Sequence, residues 1–193
     1  MAQTVDRDRL GAWLLKCNPT AWDLRGFLDS GERRLTSWSV RPGYRSALMA
    51  PGDRVLFWVS GDGRQGFARG LWGHGRVAAE AEPWSEGDQG FWRAADGHHA
   101  IQARVELDVA LLEVPVTDAE LRAAGVRDLE VQRQPFAANP SWVSRDQLGV
   151  VADLLPPWPA PAPGSPPAVP THPEDAAHPE DAARHENMRR AAR

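Results

Sequence analysis

The sequence predicts an α+β protein: a small, curled β-barrel with short flanking helices, followed by a C-terminal tail that is expected to be disordered. Three observations carry this. A glycine-punctuated hairpin spans Arg54 to Val77, helix caps recur between extended segments, and from Pro156 onward the chain is proline- and alanine-rich with few large apolar side chains.

Taken in order, Met1 to Leu10 is a charged, flexible N-terminus, and a folded unit is expected over residues 11–155, with 156–193 as the tail. Ala12-Trp13-Leu14-Leu15-Lys16 is an apolar run closed by Asn18-Pro19, which reads as a buried strand and a turn. A first helix follows. Thr20 is its expected N-cap, Asp23 lies in its first turn, Leu24, Phe27 and Leu28 form its apolar face, and Gly31 stands where a left-handed residue ends a helix. Leu35 to Val40 is extended.

Pro51-Gly52-Asp53 is a turn that launches Arg54 to Ser60, rich in β-branched and aromatic residues, and Gly61-Asp62-Gly63 returns the chain along Phe67 to Val77. Glycines at Gly66, Gly70, Gly73 and Gly75 indicate a strand that bends or meets another backbone closely, as at a barrel corner. Glu80 to His99 is a long polar loop carrying Trp84, Phe91 and Trp92. Ala100 to Leu107 alternates as a strand, and Thr117 to Glu120 is a capping box for a helix that ends at Gly125. Leu129 to Gln134 reads as a strand. The capping box Ser144 to Gln147 opens a last helix that buries Leu148, Val151, Leu154 and Leu155 and stops at Pro156-Pro157. The tail holds a tandem His-Pro-Glu-Asp-Ala-Ala duplication at 172–183.

Composition excludes several classes. No stretch approaches the roughly 18 apolar residues of a membrane helix, so a soluble, cytoplasmic protein without a membrane partner is expected. Cys17 is the single cysteine, which rules out an internal disulfide and a cysteine-based zinc cluster. The net charge of −4 conceals a division along the chain. Arginine dominates Arg33 to Arg76 and carboxylates dominate Glu80 to Glu130, so an anionic partner is expected on the first half.

Chemistry-bearing motifs are few. Gly61-Asp-Gly-Arg-Gln-Gly66 satisfies the dinucleotide G-x-G-x-x-G pattern, but Phe67 to Trp72 leads into a strand, and without a helix N-terminus there is nothing to aim at a pyrophosphate. His74, His98 and His99 show no metal-ligand spacing, no G-x-S-x-G elbow occurs, and no catalytic set emerges. No metal or cofactor is expected, and the protein is not expected to be an enzyme.

Three blocks carry a resemblance. Trp13-Leu-Leu-Lys16-Cys-Asn-Pro19, then Trp38-Ser-Val-Arg41-Pro-Gly-Tyr44-Arg45, then Pro51-Gly-Asp53 with Val55-Leu-Phe-Trp58-Val-Ser60 resemble, in order and spacing, the EVE domain of the PUA-like superfamily, related to the YTH readers of methylated adenine. The resemblance covers about Gly11 to Leu155. Asn18 replaces the usual Glu, Ser39 a usual Gly, and Pro42-Gly43 a usual Asn, which points to altered base specificity or a divergent subgroup.

The resemblance implies a small barrel that binds DNA or RNA carrying a modified base, taken flipped-out into an aromatic pocket, and a monomer. It implies Trp38 as a cage wall, Trp84 and Trp92 as further cage residues, and Asn18, Ser39, Cys17 and Val40 around the base edge. Lys16, Arg41, Tyr44 and Arg45 would meet phosphates. Stacking at about 1–3 kcal/mol per base offsets the cost of extruding it. Trp13 and Trp58 are strand aromatics expected in the core. The alternatives are an RNA-processing hydrolase on a related ASCH-like scaffold, with the sole lysine, Lys16, in its pocket, or a protein interaction module using the tail.

Overall fold

The computed structural model describes residues 4–61, 65–84, 90–93 and 102–159. The turn residues Asp62 and Gly63, His98, His99 and the tail from residue 160 lie outside them. The chain forms β1 (Leu10–Cys17), α1 (Leu24–Asp29), β2 (Arg34–Val40), α2 (Tyr44–Leu48), β3 (Arg54–Val59) and β4 (Gly70–Val77). It continues through β5 (Glu82–Pro83), β6 (Ala103–Thr117), α3 (Asp118–Ala123), α4 (Glu130–Arg133), β7 (Ser141–Ser144) and α5 (Arg145–Ala152). No described helix is long and apolar enough to cross a membrane.

All seven strands join one sheet in the order β2-β6-β4-β3-β1-β7, with β5 added against β6. Pairing is antiparallel except between β1 and β3, which run parallel with Trp13 opposite Val55 and Cys17 opposite Val59. This corrects the expected barrel: β2 and β7 stand at opposite ends of the order, so the sheet curls without closing. Closure needs a ladder between the end strands, and β7 has only four residues, all directed to β1. One backbone bond marks where the ends approach, from Arg41 N–H just past β2 to Asn139 O ahead of β7, 2.9 Å.

The curl has a local cause. Ladder irregularities fall in β3 against β4, β4 against β6 and β2 against β6. At Gly75 a Cβ would lie 1.9 Å from Asp108 O, so only glycine lets β4 approach β6 there. The close backbone approach read from the glycine spacing is what the sheet contains.

Alternation on the strands feeds two cores. Trp13, Leu15 and Cys17 of β1 point with Val55, Phe57, Val105 and Trp38 to one side, while Ala12, Leu14, Leu56 and Trp58 point to the other, beneath α3 and α5. Burial on both faces explains why β1 and β3 read as unbroken apolar runs. The Asp53 carboxylate fixes the corner before β3, accepting from Trp13 Nε1 (2.8 Å), Ala50 N (2.9 Å) and, in two bonds, the Arg7 guanidinium (2.6 and 2.9 Å). Beyond α5, Trp158 stays on the domain, donating from Nε1 to Gly75 O at 2.9 Å with its ring 4.9 Å from that of His74.

Several local expectations change. The cap of α1 is Asp23, whose carboxylate accepts from Gly26 N at 3.1 Å; Thr20 instead donates its N–H to Asn18 Oδ1 at 3.0 Å within the preceding turn. Residues Leu129 to Gln134 are not a strand, because Gln132 Oε1 accepts the Leu129 N–H at 2.9 Å and starts the short α4. Tertiary packing then holds Leu129, Glu130 and Val131 buried in helical form. The capping boxes at Thr117 and Ser144 do open α3 and α5. The strand expected to end at Leu107 runs to Thr117, and β7 and α2 carry no signal strong enough to read alone.

Candidate functional site

The parallel strands β1 and β3 end side by side, and Cys17 O accepts from both the N–H and the hydroxyl of Ser60, each at 2.8 Å. Their exits open onto a cleft of about 850 Å3. Asn18, Thr20 and Ser60 line it at the strand ends, with Ser39 and Gln102, Trp92 and Arg93, and residues Pro135 to Asn139 as its rim. Among the described residues its lining includes three cations, Lys16, Arg69 and Arg93, and no carboxylate. Such a concavity favours ligands that carry negative charge and hydrogen-bond acceptors.

Each cation is held. Lys16 Nζ donates to Pro135 O (3.1 Å) and to Ala137 O, and burial lowers its pKa, an effect that the charge of Glu130 opposes. Arg69 Nε lies 3.9 Å from the Asp118 carboxylate, with its guanidinium 5.7 Å over the Trp58 ring. Arg93 donates to Asp23 at 2.5 Å, and this bond, with that from Gly26 N, keeps the Asp23 carboxyl below its ordinary range.

Behind the cleft stands an aromatic knot. Trp38 is 2% exposed, with ring centroids 5.0 Å from Trp22, 4.9 Å from Phe57 and 5.2 Å from Trp92, and its Nε1 donates to Lys16 O at 3.2 Å. Residues 90–93 are pinned to the start of α1 by Asp23 N to Phe91 O and Arg93 N to Ala21 O, both 2.8 Å. That pinning seats Trp92 between the knot and the cleft.

Of the residues named from the sequence, the fold brings Lys16, Asn18, Ser39 and Trp92 to the cleft. Trp38, Cys17 and Val40 lie behind it in the core, and burial pushes the Cys17 thiol pKa well up. Trp84 is half-buried against Trp92, ring centroids 6.2 Å apart, outside the lining. Arg41 and Tyr44 are exposed beyond it, while Arg45 is locked to the buried Glu130 by two bonds of 2.9 Å. Trp13 and Trp58 are wholly buried, as strand aromatics should be. Trp58 also underlies the cleft, and neither its Nε1 nor Arg69 Nε has a hydrogen-bond partner among the described residues.

Sequence reasoning missed Arg69, Gln102 and the rim from Pro135 to Asn139. Asn139 is the organiser of that rim: its side chain accepts from Lys16 N (2.8 Å) and donates to Lys16 O (2.9 Å), completing the β1 ladder across 123 positions. The Asn139-Pro140 bond is cis. The one available signal was Phe136, a large apolar residue in a segment otherwise polar or small.

A family model of the EVE domain matches residues 11–154. The chain belongs to the EVE domain family. Solved structures share the architecture at low identity. A hypothetical protein from Leishmania major is 18% identical, with a TM-score of 0.53 over 77% of this chain and 96% of that one. A protein from Pseudomonas putida is likewise 18% identical, with a TM-score of 0.51 over 74% and 98%. Human THYN1, solved with DNA containing 5-methylcytosine, is 15% identical with a TM-score of 0.47 over 74% and 96%. These are likenesses of fold. No curated protein matches the chain.

Proposed function

We propose that this EVE domain is a nucleic-acid-binding module that takes one extruded, modified base into the cleft at the ends of β1 and β3. The observation that carries the reading is the lining itself, which among the described residues combines cations, side-chain amides, hydroxyls and an indole. Its volume lies within the roughly 300–1,000 Å3 of small-ligand sites. Family membership supports the same use.

The roles follow from placement. Trp92 offers a ring at the cleft wall, and stacking on it offsets the cost of unpairing a base. Asn18, Ser39 and Gln102 present donors and acceptors suited to a base edge. Arg69 and Trp58 form part of the cleft's floor, the guanidinium lying 5.7 Å over the indole ring. Binding rather than turnover is the reading: the Cys17 thiol is sealed in the core, Lys16 is engaged by two carbonyls, and the Ser60 and Ser39 hydroxyls donate to Cys17 O and Gln102 Oε1.

Fluorescence-anisotropy titration of oligonucleotides carrying methylated, hydroxymethylated or thiolated bases against their plain counterparts tests this. At least one modified probe should bind about tenfold more tightly than its plain form, and Trp92→Ala should lose most of that gain. Equal affinity across the whole series would overturn base reading.

A further inference from the structure

Phe136 is 99% exposed, the most exposed large apolar side chain among the described residues. A phenylalanine left in water forgoes roughly 1.5–3 kcal/mol of burial, so its presence on a surface invites an explanation. Its position supplies one, because Phe136 lies in the cleft rim.

The segment that carries it is held from several sides. Gln134 N–H donates to Glu130 O at 2.7 Å and Ala137 N–H to Gln134 O at 3.1 Å, which closes a turn around Phe136. Lys16 Nζ, reaching across from β1, binds the carbonyls of Pro135 and Ala137, one on each side of Phe136 in sequence. Asn139 ties the end of the segment to the Lys16 backbone of β1 through both its amide atoms. Proline at 135 and small residues at 137 and 138 leave no neighbouring side chain on the segment to cover the ring. The only lysine of the chain is thus a positioning residue that keeps a bare aromatic side chain at the mouth of a cation-lined cleft.

We infer that Phe136 is a wedge for a base-paired duplex: it enters the stack at the position a base vacates on moving into the cleft. The inference rests on the base-binding reading above and extends it from the base to the form of the nucleic acid. Extruding a base from a duplex leaves two stacked faces without a neighbour, at a cost of a few kcal/mol, and an apolar side chain inserted between steps restores contact. A single strand has no such gap, so the wedge discriminates duplex from single strand. Charge agrees at the rim, where Lys16 is held by two carbonyls rather than by a carboxylate.

The test uses the full chain, a short DNA duplex in which the modified base that binds most tightly in the anisotropy series stands at one central mismatch with 2-aminopurine beside it, and the single strand of the same sequence. A mismatched base is the least costly to extrude. Phe136→Ala should weaken duplex binding about tenfold, leave single-strand binding within about twofold, and abolish the rise in 2-aminopurine fluorescence, whereas Phe136→Trp should retain all three. Because the residue is exposed, neither variant disturbs the core. Equal duplex affinity in Phe136→Ala and wild type defeats the wedge, as does an equal loss on both probes. Wild type binding neither probe defeats the nucleic-acid reading itself.

Discussion

Trp38 and Trp92 have ring centroids 5.2 Å apart and opposite fates. Trp38 is 2% exposed, touches Trp22 and Phe57, and has its indole N–H satisfied by Lys16 O; Trp92 packs on the same knot but forms a wall of the cleft. The difference comes from the elements that carry them. Trp38 projects from the middle of a paired strand, where alternation aims it inward, while Trp92 sits on a short segment laid across the start of α1. Two tryptophans can belong to one cluster while only one of them lines the cleft.

The largest expected effect breaks the knot side of this comparison. Trp38→Ala should cost about 3–5 kcal/mol of stability, read from the urea midpoint, because it empties a core site shared with Trp22 and Phe57. Trp92→Ala should cost less stability and lose binding instead. If the two variants lowered the midpoint equally, the distinction drawn between the rings would be wrong.

Next comes Arg45, a residue the family blocks suggest for phosphate and the fold commits to Glu130. Breaking a buried pair on one side leaves a bare charge, so Arg45→Ala should destabilise by about 3–5 kcal/mol, and adding Glu130→Gln should recover part of that. Trp142 N–H, which also donates to Glu130, makes the recovery partial. An Arg45→Ala protein of unchanged stability with weakened oligonucleotide binding would return this arginine to the ligand.

The smallest effect lies on the opposite face, where His74 packs beneath Trp158. Burial lowers the His74 pKa. The unfolded chain therefore takes up this proton first as pH falls, and the stability held above the ordinary histidine range, near 6.5, is lost below it. His74→Gln should flatten the decline in thermal midpoint between about pH 7 and about pH 5, leaving the carboxylate-driven loss at lower pH intact. Superimposable wild-type and variant profiles in that window would remove His74 from the pH response.

Legibility followed sequence distance. β1, β2 and the β3–β4 hairpin were readable because alternation, turn residues and glycine spacing are local signals, and the caps of α3 and α5 were readable because Ser/Thr and Glu/Gln three apart bond each other directly. At Leu129 to Gln134 the same kind of reading failed, since a four-residue helix has no periodicity to show and is held by long-range partners such as Arg45. The cleft was half legible. Lys16, Asn18, Ser39 and Trp92 were named in advance, whereas Arg69, Gln102 and Asn139 entered through contacts that no short window contains.

By itself, then, the sequence determined which segments extend or coil and which family the blocks belong to, because those depend on neighbours within a few positions. Only the tertiary structure decided that the sheet stays open, that Trp38 is sealed while Trp92 lines a cleft, and that Lys16 serves the rim around Phe136. Each of those outcomes is fixed by a contact between residues far apart in the chain, such as the pairing of Asn139 with Lys16, and such contacts exist only once the sheet order brings the two backbones together.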